Sequence, residues 1–299
     1  MLTTFFSIIF VYIFILLGFL AKRIFKEEIH PKSLTIMSVY FLQPFVTIWG
    51  FSSTKLHFED IYVPLLYLAI ILTLLLPMIA LSKFLFKDPK KQAIFSIAGF
   101  VGNTGNIGIP LALTLFGQEA VIYATLINLA NVFVIYVLGV YIYSRGSFSV
   151  KESIKNIFKI PIIPASVVAV LININEVTIP KEIFEAIKMG AYAGIVLQLF
   201  LLGTFLAQIN KFSIDTKLFF STLAQKFLLI PIATAFILSF TPFNDLIKGV
   251  IFMQMLTPLA VANINVASLY NCHPQSVSTL IFASTLLFLP VLLIMQYWL

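Results

Sequence analysis

A chain of 299 residues in which 60% are hydrophobic and only 10% charged cannot cover a soluble core, because soluble domains carry about 25% charged residues. Its solvent is expected to be lipid, and the net charge of +7 then reflects loops that touch anionic headgroups, with no nucleic-acid partner needed. The single Cys272 excludes an intrachain disulfide and reads as a small packing residue.

Apolar segments of roughly 20 residues, the length that crosses about 30 Å of hydrocarbon as a helix, follow one another along the whole sequence. They fall at 3–21, 34–54, 61–80, 92–117, 119–143, 156–173, 184–208, 217–239, 246–272 and 276–298. The first has no basic stretch before it and no small-residue cleavage site after it, so it is expected to be a retained span and not a signal peptide. The alternating pattern of a membrane barrel is absent, and the expected fold is an all-α membrane protein with ten transmembrane helices.

Basic residues resist translocation and collect in cytoplasmic loops. Lys22, Arg23, Lys26 and Lys32 follow the first span; Lys83, Lys87, Lys90 and Lys91 the third; Arg145, Lys151, Lys155 and Lys159 the fifth; Lys211 and Lys217 the seventh. The opposite face holds only Lys55, Lys181, Lys188 and Lys248. Odd-numbered connections are therefore expected in the cytoplasm, and both termini outside the cell (inner) membrane. Five spans in residues 1–150 and five in 151–299 suggest a duplication whose second copy is inverted, together forming one transporter domain.

The fourth span of each half is broken. In the first, the run Gly102-Asn103-Thr104-Gly105-Asn106-Ile107-Gly108-Ile109-Pro110 interrupts the helix; in the second, Thr257-Pro258 followed by Asn263 and Asn265 does so. Glycine costs a helix about 1 kcal/mol and proline about 3, so each cluster should unwind the chain. Unwound backbone at membrane depth is tolerated only in protein or beside a wet cavity. If the breaks cross at the bilayer centre, two helix N-termini bring partial positive charge and free N–H groups to one point, where an anion could bind without a buried cation. Asn103, Asn106, Asn263 and Asn265 should meet there.

Asn103-Thr104-Gly105 with Gly108 and Pro110, and Pro258 with Ala260, Ala267 and Tyr270, resemble the two break elements of the auxin efflux carrier family, which includes plant auxin exporters and bacterial permeases for small carboxylates. The resemblance covers nearly the whole chain. It lacks the long hydrophilic loop and the Asn-Pro-x-Pro of the plant members, which points to the bacterial type. The resemblance implies a mobile core of spans 3–5 and 8–10 rocking against a scaffold of spans 1, 2, 6 and 7, as in the bile-acid symporters of related architecture.

Other polar residues lie at membrane depth. Lys226, inside the eighth span, is expected either to serve anion binding or to snorkel to the headgroups. Asn128 and Asn131 share a helical face, and Gln198 and Gln43 complete the set, each able to serve the cavity or merely to bond between helices. Every Asp and Glu, from Glu27 to Asp245, falls in a loop or a first turn, and His30, His57 and His273 lie in or near connections. No metal site, cofactor, catalytic triad or carboxylate proton relay is expected, nor a nucleotide-binding loop. An intramembrane enzyme and a flux-free receptor are the readings this disfavours. The expected function is a secondary transporter of a small organic anion, electrogenic, sodium-independent and directed outward, with the bilayer and a homodimer as its other partners. The alternative is a sodium-coupled symporter of the bile-acid type.

Overall fold

A computed structural model of the protein describes residues 2–52, 55–144, 161–208 and 215–295. Among them every regular element is helical, as backbone in lipid requires. In chain order these are α1 (Leu2–Phe25), α2 (Pro31–Ser52), α3 (Phe58–Leu85), α4 (Pro89–Ile97), α5 (Thr104–Phe116) and α6 (Ala120–Tyr143). The rest are α7 (Ile162–Ile174), α8 (Lys181–Ala207), α9 (Thr216–Ser239), α10 (Asp245–Leu256), α11 (Ala262–Leu269) and α12 (Pro274–Met295).

Six of these, α2, α3, α6, α8, α9 and α12, are long and apolar enough to cross a membrane. They overlap the second, third, fifth, seventh, eighth and tenth expected spans. The fourth and ninth are each a pair of short helices joined by an unwound link, α4 to α5 through residues 98–103 and α10 to α11 through residues 257–261. Helix α1 covers the first segment and α7 the described part of the sixth. Arg145, Lys151, Lys155, Lys159 and Lys211 lie outside the described residues.

Short polar caps start the helices on which the links depend. Asp88 accepts a bond from Lys90 N–H, with Pro89 at the first helical position, and so opens α4. Asp215 and Asn244 do the same for α9 and α10 through Leu218 N–H and Ile247 N–H. Exposed Leu228, Ile232 and Phe236 stand at four-residue spacing on α9, one outward stripe that lipid would cover.

Two sets of helices pack closely within themselves, and contacts of α1 and α8 with α5 and of α2 with α6 join them. Helix α1 lies along α8, and the second half of α2 packs on α7 and α8. The α1–α8 approach is backbone to backbone: a methyl group at Gly18 would sit 1.9 Å from the Phe200 carbonyl oxygen, and one at Gly203 would sit 1.9 Å from that of Ile15. Small residues of this kind let membrane helices approach. In the second group α3 packs on α4 and α6, α6 on α10, and α9 on α10 and α12.

Four helices contain a widened π turn: Met37–Leu42 in α2, Thr104–Gly108 in α5, Val134–Gly139 in α6 and Gln225–Leu229 in α9. Three of them end two residues before a proline, Pro44, Pro110 or Pro231. A proline ring clashes with the carbonyl one turn back and donates no bond to it, and an enlarged turn relieves both problems. This corrects the expected position of the first break. Asn106, Gly108 and Pro110 are helical, and the unwound stretch instead precedes Thr104.

Candidate functional site

The two unwound links cross and bond to each other. Asn103 N–H donates to the Pro258 carbonyl at 2.8 Å, and Ala260 N–H donates to the Val101 carbonyl at 2.9 Å, with Gly102 opposite Leu259 in an antiparallel bridge. Backbone that leaves a helix at this depth must find partners in the protein, and each link supplies the other.

Side chains satisfy the remaining groups. Asn131 Nδ2 donates to the Gly102 carbonyl at 2.7 Å and to Thr104 Oγ1 at 3.0 Å, while its Oδ1 accepts from Tyr67 at 3.2 Å. Asn263 Nδ2 donates to the Val101 carbonyl at 3.2 Å and the Ala260 carbonyl at 3.1 Å, and its Oδ1 accepts from Tyr143 at 3.1 Å. Ser284 Oγ accepts from Leu259 N–H at 3.1 Å. Both asparagines are thus fully engaged in holding the crossing.

A cavity of about 610 Å³ lies against one side of the crossing. Thr104, Gly105 and Asn106 at the start of α5 face it, as do Ala260 and Val261 of the second link and Ala262, the first residue of α11. The first N–H groups of a helix have no intrahelical partner and carry its positive dipole end. Asn103 and Asn128 line the same wall. Asn103 Nδ2 is buried with no partner among the described residues, and Asn128 Oδ1 accepts from Thr104 Oγ1 at 2.9 Å. Among the described residues no charged side chain lines the cavity. Its chemistry is a set of neutral donors around two helix N-termini, suited to an anion.

Of the residues singled out in the sequence, Asn103, Thr104, Gly105, Asn106, Asn128, Asn131 and Asn265 line the cavity, and six do not. Pro110 sits lower in α5, and Pro258 contributes the carbonyl that Asn103 holds. Thr257 Oγ1 bonds back to the Gln254 carbonyl at 2.7 Å. Asn263 braces the crossing from beneath. Gln198 Nε2 donates to Gln43 Oε1, and it is Gln43 that reaches the cavity. Lys226 is on the opposite side of the crossing, only 1% exposed, with Nζ donating to the Gly99 carbonyl at 2.9 Å. It neither snorkels nor lines the cavity, because the π turn at Gln225–Leu229 directs it inward.

Sequence reasoning missed Thr35, Ser38, Tyr40, Tyr136 and Tyr270 as lining residues. Ser38 and Tyr40 precede Gln43-Pro44 within one π turn, and that proline was the available signal. Gln225 and Gln254, both buried with amide groups that lack partners among the described residues, were also missed as a feature of the crossing.

The loops on the basic side are tied together. His273 Nε2 lies 2.6 Å from Asp88 Oδ2, and Lys91 pairs with Asp215. Burial would raise the Asp88 carboxyl, but bonds from His273 and Lys90 N–H outweigh it and hold the group below the usual range. Bonds from Lys91 and Leu218 N–H hold Asp215 low as well. On the other side Lys55 pairs with Glu176, both well exposed.

A family model described as membrane transport protein matches residues 3–296. An uncharacterized transporter of Methanocaldococcus jannaschii is 28% identical over 292 residues, covering 93% of each chain. Neither finding supports the bile-acid alternative. With the match spanning nearly its whole length, the chain belongs to the membrane transport protein family, the one foreshadowed by Asn103-Thr104-Gly105, and is a membrane transporter.

Proposed function

We propose that the protein carries a small organic anion, a carboxylate, across the membrane by alternating access, with net export driven by the membrane potential. The observation that carries this reading is the convergence of the α5 and α11 N-termini on a cavity with no charged side chain among the described residues, where Asn103 Nδ2 has no partner. An anion desolvated there would gain charge-assisted bonds from neutral donors, each stronger than a neutral pair. Release then requires no buried ion pair to be broken.

In this reading ten spans form an inverted five-plus-five repeat, with α4–α5 and α10–α11 as the equivalent broken spans. The group α3–α6 and α9–α12 is the moving core, and α1, α2, α7 and α8 are the scaffold. Thr35, Val140, Ile162, Phe205 and Tyr270 carry the cavity from the crossing toward the loops rich in Lys and Arg. With those loops cytoplasmic, this is an inward-open conformation, ready to load an anion for export.

The test is a panel of carboxylates screened for thermal stabilisation of the purified protein, since a ligand bound to the folded state raises its melting temperature. A carboxylate should stabilise the wild type and lose most of that effect in Asn103→Ala. Stabilisation by organic cations or neutral solutes, with none by carboxylates, would contradict the reading.

A further inference from the structure

The crossing has a second side. Where the N-termini of α5 and α11 face the cavity, the C-terminal ends of α4 and α10 face away from it, toward α9. A helix C-terminus presents orphan carbonyls and partial negative charge. Lys226 meets the first of these ends: its Nζ donates to the Gly99 carbonyl at 2.9 Å, just past the end of α4. A methyl group at Gly102 would lie 3.5 Å from Lys226 Nζ, 3.5 Å from the Gln254 carbonyl oxygen in the last turn of α10, and 2.5 Å from Thr257 Oγ1. One glycine therefore touches the lysine, both links and the end of α10.

Two further side-chain oxygens near the crossing have no partner among the described residues. Gln225 Oε1 lies against Gly99 and Gln254 Oε1 against Gly108, and Gln225 and Gln254 are 2% and 0% exposed. Buried amides left unbonded cost about 1–3 kcal/mol each, and the Gln225 oxygen lies beside Gly99, whose carbonyl Lys226 holds. No carboxylate supplies a counter-charge: Asp60, the one buried acid among the described residues, accepts from His57 N–H at the start of α3.

We propose that the Lys226 ammonium is a tethered cation, standing where a small monovalent metal ion would otherwise balance the two helix C-termini. Carbonyl, amide and hydroxyl oxygens are the ligands that a hard ion such as sodium takes, and unwound carbonyls with half-helix C-termini are where coupling cations bind in broken-helix transporters. A covalently tethered cation does not dissociate from this position. The crossing then needs no co-ion, and the carrier is freed from sodium. This rests on the transporter reading above, but its test requires no flux.

The experiment is thermal melting of the full-length protein in detergent against sodium, lithium or potassium chloride, at ionic strength held constant with N-methylglucamine chloride. The wild type should be indifferent to the cation. Lys226→Ala should melt lower in N-methylglucamine and recover along a saturating curve as sodium or lithium is added. A Lys226→Ala variant that ignores sodium, lithium and potassium, or a wild type that is itself saturably stabilised by sodium, overturns the proposal. Should Lys226→Ala resist purification, Lys226→Gln decides the matter, because it refills the space without the charge. Neutralising an uncompensated buried charge stabilises a protein, whereas removing a cation that balances two helix ends destabilises it. Melting below the wild type is expected, and melting at or above it overturns the proposal. Carboxylate stabilisation of the wild type is a separate measurement, so either reading can fail alone.

Discussion

Asn103 and Pro258, far apart in sequence, are joined by an N–H to carbonyl bond of 2.8 Å that ties one unwound link to the other. That bond and its partner from Ala260 to Val101 make the two broken spans a single unit with two faces, one presenting helix N-termini and the other helix C-termini. The proposed anion site belongs to the first face and Lys226 to the second.

The asparagines divide by what their amides already hold. Asn103 Nδ2 has no bond to protein among the described residues, so Asn103→Ala should fold normally and weaken carboxylate binding; Asn128→Ala should weaken it too, with some loss of stability, because Thr104 Oγ1 loses its acceptor. A hydrogen bond to a charged group contributes about 1.5–3 kcal/mol, a loss of roughly tenfold to a hundredfold in affinity. Substrate titration by melting temperature reads the effect.

Asn263→Ala should do the reverse. It removes the two carbonyl bonds to Val101 and Ala260 and leaves the Tyr143 hydroxyl without its acceptor. The expected cost is about 2–3 kcal/mol of stability, seen as a lower melting temperature. Carboxylate affinity in the folded fraction should change less than in Asn103→Ala.

Gly203→Ala tests the scaffold. Its new methyl group would sit 1.9 Å from the Ile15 carbonyl oxygen and 2.6 Å from the Phe19 nitrogen, both backbone atoms that cannot rotate away. Helix α1 must separate from α8, and the yield of monodisperse protein should fall sharply. Ala207→Ser, near the end of the same helix, is the control expected to behave as wild type.

Much of this was legible in the sequence, for physical reasons. Apolar length marks a span whatever the tertiary packing, and Gly, Asn and Pro clusters mark a break because their helix cost is local. Residues 98–103 and 257–261 unwind near where those clusters stand. The π turns were not legible, although Pro44, Pro110 and Pro231 hinted at them, because a proline can be relieved by a kink as readily as by a wider turn. Lys226 was visible as a charge in a span. Its direction was not, since one residue's rotation on α9 depends on the turn at Gln225–Leu229.

The basic-side ion pair gives a pH prediction. The Asp215 carboxyl is held below its unfolded value by Lys91 and the Leu218 N–H. Its contribution is complete above the unfolded value near ~4 and is lost as pH falls through the lower folded value. Asp215→Asn keeps a capping side chain and removes the charge. It should melt slightly below the wild type at neutral pH, by less than about 1 kcal/mol for a partly exposed pair, and the difference should close as the buffer is taken below pH ~4. A difference constant across that range would show that Asp215 acts through its cap alone.

The central claim, that an anion crosses on its own charge, is tested most directly by carboxylate flux in proteoliposomes under an imposed potassium-diffusion potential. One elementary charge moved across 100 mV is worth about 2.3 kcal/mol, roughly a 40- to 50-fold bias. Flux should follow the sign and size of the potential and be unchanged by a sodium or pH gradient. Flux that ignores the potential and follows either ion gradient would contradict the account.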